Sequence, residues 1–354
     1  MSDLFSPIQL GDTQLNNRII MAPLTRSRAS TGHMPNQLMA TYYAQRATAG
    51  LIISEATMIT QGNSAFVNEP GIYNQAQISA WKTVTDAVHA QEGKIYLQIW
   101  HGGRAAHSVL NDGQQPVAPS AIAIDDVIHT PQGKLPYEVP RALETSEISM
   151  VVYAFRQAAH NAMLAGFDGV EIHGANGYLI DQFLRSSSNT REDQYGGSVE
   201  NRARLLLEVI DAVSDEIGST KVGLRLSPLN SFNSMQDDDP LGLLTFVSKE
   251  LDTRNLAYFH VMRADFYDKQ HGDTLTTVRA HFHGNLIANM GYTESEATTA
   301  IQNNRVDAIA FGTDFISNPD LPQRFARDIA LAPADPNTFY LGGEEGYIDY
   351  PAAS

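Results

Sequence analysis

The chain of 354 residues is 43% hydrophobic and 18% charged, which is typical of a soluble globular protein. Its formal charge of −16 argues against a nucleic-acid partner, because phosphate binding requires clustered Lys and Arg. The absence of cysteine excludes disulfides, thiolate metal sites, iron–sulfur clusters and a cysteine nucleophile.

The first residues lack the basic and apolar regions of a signal peptide. No apolar run in the sequence reaches the roughly 18 residues of a membrane span. We therefore expect a cytoplasmic protein with no membrane segment.

Short apolar runs of strand length alternate eight times with longer helical patterns. The predicted strands are Arg18–Ala22, Leu51–Glu55, Ile95–Trp100, Gly169–His173, Val222–Leu226, Ala257–Val261, Asn285–Asn289 and Ala308–Phe311. Helical periodicity is clear over Ile148–Ala165 and Val199–Ile217, with Ser198 placed to cap the second helix. Because parallel strands need such crossovers, the pattern predicts an α/β fold, a (β/α)8 TIM barrel. The alternative, an open doubly wound sheet, lacks a G-x-G-x-x-G motif after its first strand.

Three segments lie outside this repeat. Residues 5–17 predict a β-hairpin around Gly11–Asp12 that plugs the bottom of the barrel. Residues 105–145, after strand three, are rich in Pro, Gly and Ser and predict a capping insertion. The tail over residues 337–351 is rich in Tyr and Gly and is predicted to fold over a site. We treat residues 1–354 as a single domain.

Candidate site residues follow from the rule that a barrel enzyme places its active site at the carboxyl ends of the strands. These positions hold Pro23, Leu24, Thr25, Ala56, Gln98, Trp100, His101, His173, Asn176, Tyr178, Arg225, Asn289, Met290, Gly291, Phe311, Gly312 and Thr313.

The chemistry of this set favours a flavin. Thr25 and Gln98 can pair with the edge of a planar heterocycle, and Arg225 can hold a negative charge. His173 and Asn176, three residues apart, can both donate to one oxygen. Glycine turns after strands seven and eight are the usual phosphate cradle of this fold. Together these residues predict a flavin mononucleotide (FMN) site with an oxyanion clamp above it.

Other chemistries find less support in the same residues. No lysine stands at a strand end to form a Schiff base, and no carboxylate pair suits glycoside hydrolysis. A metal held by His101 and His173 with Glu55 or Glu171 lacks a tight ligand cluster, so we predict no metal site. We interpret His101 as a structural residue.

Six motifs resemble the Old Yellow Enzyme family, in particular its bacterial N-ethylmaleimide and pentaerythritol tetranitrate reductases. The resemblance extends from Leu4 to Pro351. Its motifs are MAPLTRSRA at 21–29, LQIWHGGRAAHS at 97–108, FDGVEIHGANGYLIDQFL at 167–184, NTREDQYGGSVENRARLLLEV at 189–209, VGLRLSP at 222–228 and FISNPDL at 315–321.

The resemblance implies a role for each position in binding FMN. Thr25 would bind the flavin C4 carbonyl, Gln98 the pyrimidine edge, and Ala56 would approach the ring through its backbone. Arg225 would stabilise the anionic reduced flavin near N1. Pro23 and Leu24 complete the expected flavin site.

The resemblance also implies an activity, the NAD(P)H-dependent reduction of activated alkenes such as enones, maleimides and nitroalkenes, extending to nitro compounds and nitrate esters. Hydride would pass in ping-pong fashion from NADPH or NADH through FMN N5. His173 and Asn176 would hold the substrate oxygen, and Tyr178 would donate the proton. Substrate walls would come from Phe66, Trp100 and Tyr340.

Three positions depart from the family pattern. Relatives usually carry Arg where this chain has Thr313, a glycine-rich turn where it has Asn289 and Met290, and often Tyr where it has Phe66. We expect backbone amides near Gly291 and Gly312, aided by Thr313, to bind the FMN phosphate more weakly than the arginine does. Arg263, just after strand six, is a candidate to compensate.

Two further functions stay open at this stage. One is another barrel enzyme, such as an aldolase or sugar-phosphate isomerase, and the other is a non-catalytic flavin-binding protein. The sequence names no physiological substrate, does not choose between NADPH and NADH, and leaves both a monomer and a homodimer open.

Overall fold

The computed structural model describes residues 3–340 and 342–353. The strands are β1 (Ile8–Leu10), β2 (Thr13–Leu15), β3 (Ile19–Met21), β4 (Leu51–Ile53), β5 (Thr57–Met58), β6 (Ile95–Trp100), β7 (Val117–Ala118), β8 (Val127–Thr130), β9 (Gly133–Pro136), β10 (Arg141–Ala142), β11 (Gly169–Gly174), β12 (Val222–Leu226), β13 (Tyr258–Met262), β14 (Leu286–Asn289) and β15 (Ala308–Phe311). The α-helices are α1 (Gln37–Ala44), α2 (Gln75–His89), α3 (Thr145–Leu164), α4 (Leu179–Leu184), α5 (Val199–Ile217), α6 (Pro240–Asp252), α7 (Thr274–Arg279), α8 (Glu294–Gln302), α9 (Thr313–Ser317) and α10 (Leu321–Ala326).

Eight parallel strands close into a barrel in the order β3, β4, β6, β11, β12, β13, β14, β15, and β15 pairs back to β3. Short β5 pairs with the carboxyl end of β6. The predicted (β/α)8 barrel is therefore confirmed, and each predicted strand overlaps an observed one.

The helices begin where local capping groups allow. Ser198 accepts a hydrogen bond from the Asn201 amide and caps α5, which has the predicted bounds. Helix α3 starts three residues before its predicted start, at Thr145, because Glu144 and Glu147 form a reciprocal capping box there. None of the helices in the described part of the chain combines the length and apolar character needed to cross a lipid bilayer.

Alternating strand residues separate two cores. On β11, Val170 and Ile172 pack into the large cluster beneath the helices, so Glu171 and His173 face the barrel interior. The lower interior is a smaller cluster that includes Tyr96 and Tyr258, whose ring centroids are 5.9 Å apart.

The hairpin β1–β2 plugs the bottom of the barrel, as predicted. Its apolar residues Ile8, Leu10 and Leu15 belong to the interior cluster. The Thr13 hydroxyl lies 2.9 Å from the Tyr96 hydroxyl.

The insertion after β6 reaches the upper end of the barrel. It contains the β8–β9 hairpin and the parallel pair β7–β10. Ile124 and Tyr137 from this segment pack with Trp100 and Tyr178, so the insertion covers one side of the candidate site.

Candidate active site

A cavity of about 650 Å³ opens at the carboxyl ends of the barrel strands. It is lined by most of the residues that the sequence singles out, namely Pro23, Leu24, Thr25, Phe66, Asn176, Tyr178, Arg225, Asn289, Met290, Gly291, Phe311, Gly312, Thr313 and Tyr340. Five others, Ala56, Gln98, Trp100, His101 and His173, lie outside its lining.

Several lining residues were missed by the sequence reasoning. They are Ala22, Phe232, Phe266, Tyr267, Tyr292, Ala310, Asp314, Ile316 and Phe339, whereas Arg26 was expected at the end of the first barrel strand. The loop aromatics Phe232 and Phe266 follow β12 and β13 by several residues, and the strand-end rule does not extend that far. Their proximity to strand ends and their aromatic character were the available signals.

His173 lies just behind the cavity wall at the end of β11. Its Nδ1 accepts a hydrogen bond of 3.2 Å from the Ala175 amide, which leaves the proton on Nε2. Burial, reinforced by the positive charge of Arg225, lowers the pKa of His173 well below its ordinary value of 6.5. The ring is therefore neutral at physiological pH and has one free donor.

Asn176 is fixed by three polar contacts in the turn after β11. Its backbone N–H donates to the Ser227 hydroxyl at 2.8 Å, and its backbone carbonyl accepts from the Asn233 side chain at 2.9 Å. The side-chain oxygen accepts from Asn230 at 2.9 Å, so the side-chain NH2 group is left to donate. Asn176 has φ 56°, a conformation that asparagine tolerates better than most residues.

Tyr178 lines the cavity and contacts His173. Its ring lies edge-on to Trp100 at 4.4 Å and to His173 at 5.1 Å. Burial raises the pKa of the Tyr178 hydroxyl well above its ordinary value of 10, so the group keeps its proton. Phe66 and Tyr340 continue this aromatic wall, with their rings stacked 6.2 Å apart.

His101 has the structural environment that the sequence suggested. Its Nδ1 accepts from the Gly103 amide at 3.0 Å, and its carbonyl accepts from the Leu179 amide at 3.1 Å. Burial lowers the pKa of His101 to about 4. No group of three or more potential metal ligands comes together within residues 3–340 and 342–353.

Arg225 supplies positive charge to the cavity from the end of β12. Burial lowers the pKa of its guanidinium from the ordinary value, and Nε lacks a hydrogen-bond partner within the described chain. Gln98 lies on β6, on the other side of β11 from β12; it donates to Glu171 at 2.8 Å and does not line the cavity.

The turns after β14 and β15 form the opposite end of the cavity. Met290 has φ 95° and Gly291 φ 66°. Arg263 donates to the carbonyls of Met290 at 2.8 Å and Gly291 at 3.0 Å, and it also pairs with Glu296. Arg263 thus holds the turn from behind and does not line the cavity, contrary to the suggestion that it compensates for Thr313.

The carboxyl-terminal tail folds over the cavity and is held by two arginines of the loop after β3. Arg26 donates to the carbonyls of Phe339 at 3.1 Å and Gly346 at 2.8 Å. Arg28 donates to Thr338 at 2.8 Å and also to the Phe339 carbonyl at 2.7 Å. These bonds place Phe339 and Tyr340 in the cavity wall.

The part of the cavity near Arg225 and Asn289 fits the ring of a flavin. A buried guanidinium with an unpartnered Nε suits the electron-rich pyrimidine of the ring, and the Asn289 side-chain oxygen is likewise buried and unpartnered. The turns after β14 and β15 offer fewer groups for the flavin phosphate. Within the described chain, the cations that line the cavity are Arg26 and Arg225, and Arg26 is bonded to carbonyls of the carboxyl-terminal tail.

Fold and cavity together define a flavin-dependent oxidoreductase built on a (β/α)8 barrel. A family model described as NADH:flavin oxidoreductase / NADH oxidase matches residues 3–332. The chain belongs to this family, which confirms the resemblance to Old Yellow Enzyme, and its cofactor is FMN.

Individual relatives agree with this assignment. A probable FMN-dependent alkene reductase of Leishmania infantum is 46% identical, over 98% of this chain and 97% of its own length. Morphinone reductase in complex with tetrahydroNAD is 47% identical with a TM-score of 0.95, covering 100% of this chain and 98% of its own. The old yellow enzyme from Trypanosoma cruzi is 42% identical with a TM-score of 0.97, covering 99% of both chains.

Proposed function

We propose that the protein is an ene-reductase that uses NADPH or NADH to reduce alkenes conjugated to a carbonyl or nitro group. The single observation that carries this proposal is the donor arrangement at the end of β11. His173 Nδ1 and the Asn176 side-chain oxygen are both engaged as acceptors, so each side chain has N–H groups left to donate.

Two such donors suit an oxygen on which negative charge develops. His173 and Asn176 would hold the carbonyl or nitro oxygen of the substrate and stabilise that charge during reduction. Because His173 is neutral, its N–H is kept at all pH values above its lowered pKa. The clamp therefore polarises the alkene without consuming a proton.

Tyr178 would supply the proton that completes the reduction. Its hydroxyl keeps its proton because burial raises the pKa, and it lies in the cavity wall beside His173. A phenol is a weak acid, but the enolate-like carbon that receives the proton is a strong base.

Bound FMN would supply the redox chemistry, hydride transfer between the nicotinamide cofactor and the alkene β-carbon. Thr25, Gln98, Ala56 and Arg225 would hold its ring, and the turns at Gly291 and Gly312 its phosphate. The order of these two half-reactions requires that the cavity admit nicotinamide and substrate in turn.

The substrate class is the second part of the proposal. Relatives include a probable alkene reductase, a 12-oxophytodienoate reductase and morphinone reductase. Phe66 and Tyr340 would form the substrate wall of this chain, with Trp100 packed behind Phe66, which favours ring-shaped enones, maleimides and nitroalkenes. We further propose that the chain acts as a single FMN-binding domain, as a monomer or homodimer.

Anaerobic mixing tests this function directly. The FMN-reconstituted protein is mixed with NADPH or NADH and then with 2-cyclohexenone, while the visible flavin absorbance is followed. We expect bleaching by the nicotinamide and recovery on addition of the enone. Bleaching without recovery by the enone, by N-ethylmaleimide or by a nitroalkene would reject the ene-reductase proposal and leave a flavoprotein of other function.

A further inference from the structure

A buried carboxylate lies inside the barrel one layer below the cavity. Glu171 is 0% exposed and points inward from β11. Strand register places it beside Gln98 of β6, and His173 follows two residues later at the cavity. Since a buried charge is stable only with compensating partners, the groups around Glu171 indicate its role.

Both carboxylate oxygens are occupied by neutral donors. One accepts from the Gln98 side-chain amide at 2.8 Å, and the other lies 2.9 Å from His260 Nδ1. Burial lowers the pKa of His260, although Glu171 opposes this effect, so the ring is neutral. The negative charge of Glu171 is therefore not balanced by an imidazolium.

A buried cation, Arg225, lies on the strand next to β11. Glu171 is the largest influence that raises the pKa of the Arg225 guanidinium against burial, although no salt bridge joins the two side chains. Strand register places Arg225 between His173 of β11 and His260 of β13. Both side chains are buried, so solvent screens the attraction between their opposite charges only weakly.

We propose that Glu171 is a positioning residue that sets the charge balance beneath bound FMN. It fixes the amide of Gln98 and offsets part of the positive charge that Arg225 presents to the ring. This inference rests on the proposed placement of FMN against Arg225 and Gln98. The carboxylate disfavours added negative charge on the flavin, lowers its reduction potential, and so makes hydride delivery to an alkene more favourable.

The test measures the reduction potential of bound FMN in Glu171→Gln, which keeps the shape of the side chain and removes its charge. We expect reduced FMN to gain at least tenfold in binding relative to oxidised FMN, an upward shift of about 30 mV for a two-electron couple. Arg225→Gln should lower the potential, and the double variant should return toward the wild type.

Glu55→Gln is the matched control. Glu55 is equally buried, but its side chain accepts from the Tyr43 hydroxyl on α1, at 3.0 Å. Burial raises the pKa of Glu55 to about 7. At about pH 6 the substitution removes little charge, and we expect no change in the flavin potential.

Equal potentials for the wild type and Glu171→Gln would overturn this inference while leaving the ene-reductase function intact. If Glu171→Gln does not fold, the double variant and Arg225→Gln are compared with each other, and equal potentials overturn the inference in the same way. A wild-type protein that binds no FMN would overturn the proposed function together with the inference.

Discussion

The hydrogen-bond donors of the candidate site are set by neighbours that carry no chemistry of their own. The Ala175 amide selects the tautomer of His173, and Asn230 selects the orientation of the Asn176 amide. Tyr178 is defined in the same way, by burial against Trp100 and the insertion residue Tyr137. The roles proposed for these residues depend on such contacts as much as on residue type.

Removing the Tyr178 hydroxyl should separate the two half-reactions. In Tyr178→Phe we expect the rate of flavin reoxidation by 2-cyclohexenone to fall by about 10²–10⁴-fold, since a general acid contributes on that order. Reduction of the flavin by NADPH should change far less, because that step needs no proton from Tyr178. Stopped-flow absorbance measures both rates.

Tyr137→Phe is the control for this prediction, because Tyr137 packs beside Tyr178 but does not line the cavity. Its reoxidation rate should stay close to that of the wild type. Equal reoxidation rates for Tyr178→Phe and wild type would show that the proton comes from another group.

Thr313 is proposed to lie beside the phosphate of bound FMN. In Thr313→Arg we expect FMN to bind about 10–100-fold more tightly, because a charged hydrogen bond contributes roughly 1.5–3 kcal/mol. Riboflavin, which lacks the phosphate, should bind both proteins equally. Flavin fluorescence titration measures the two dissociation constants, and an unchanged FMN affinity would place the phosphate away from position 313.

At the scale of elements, the barrel is completed by segments that are not part of its repeat. The hairpin β1–β2 fills the lower end, and the tail held by Arg26 and Arg28 closes over the upper end. The hairpin turn sits against the loop before β12, where the Asp12 amide donates to the Thr220 carbonyl at 3.2 Å. The plug is therefore fixed to the barrel by close backbone contact.

Gly11→Ala tests how tightly the plug is seated. Gly11 has φ +54°, and an added Cβ would lie 1.9 Å from the Thr220 carbonyl oxygen. We expect the free energy of unfolding to fall by about 3 kcal/mol or more, from backbone strain together with the clash. Urea denaturation measures the change.

Gly113→Ala provides the comparison, since Gly113 has φ +81° but an added Cβ meets nothing within 4 Å. It should lose only the roughly 1–2 kcal/mol of a left-handed conformation. Similar losses of unfolding free energy in the two variants would mean that the hairpin turn can move away from Thr220 without disturbing the barrel.

At the scale of the whole molecule, stability depends on acids buried near the site. Glu69 is fully buried and accepts from the Ala65 amide at 2.9 Å, beside the loop that carries Phe66. Burial raises the pKa of Glu69 from its ordinary value of 4.5 to about 8. The folded protein thus binds this proton more tightly than the unfolded chain does.

The stability that Glu69 contributes is fully present below its unfolded pKa and is lost as pH rises through the folded pKa. We expect Glu69→Gln to gain stability relative to the wild type between about pH 5 and about pH 8. Urea unfolding at the two pH values measures the difference. A constant difference would show that Glu69 titrates alike in the folded and unfolded states.

Periodicity predicted the barrel and its strands because burial on both faces imposes apolar runs at the spacing of the repeat. Strand ends then predicted about half of the cavity lining, including Thr25, Arg225 and Gly312. Arg263 was suggested for the phosphate site, and the structure places it behind the turn, bonded to the Met290 carbonyl and paired with Glu296 of α8. Local sequence carries no record of such contacts.

The sequence by itself determined the fold, the family and many of the residue types that line the cavity. The tertiary structure alone decided which donors of His173 and Asn176 are free, which groups surround Glu171, and which loops close the cavity. Strand periodicity is a local property that every segment expresses separately. Hydrogen-bond partners and burial arise only when barrel closure brings distant segments into contact, and pKa values and charge balance follow from them.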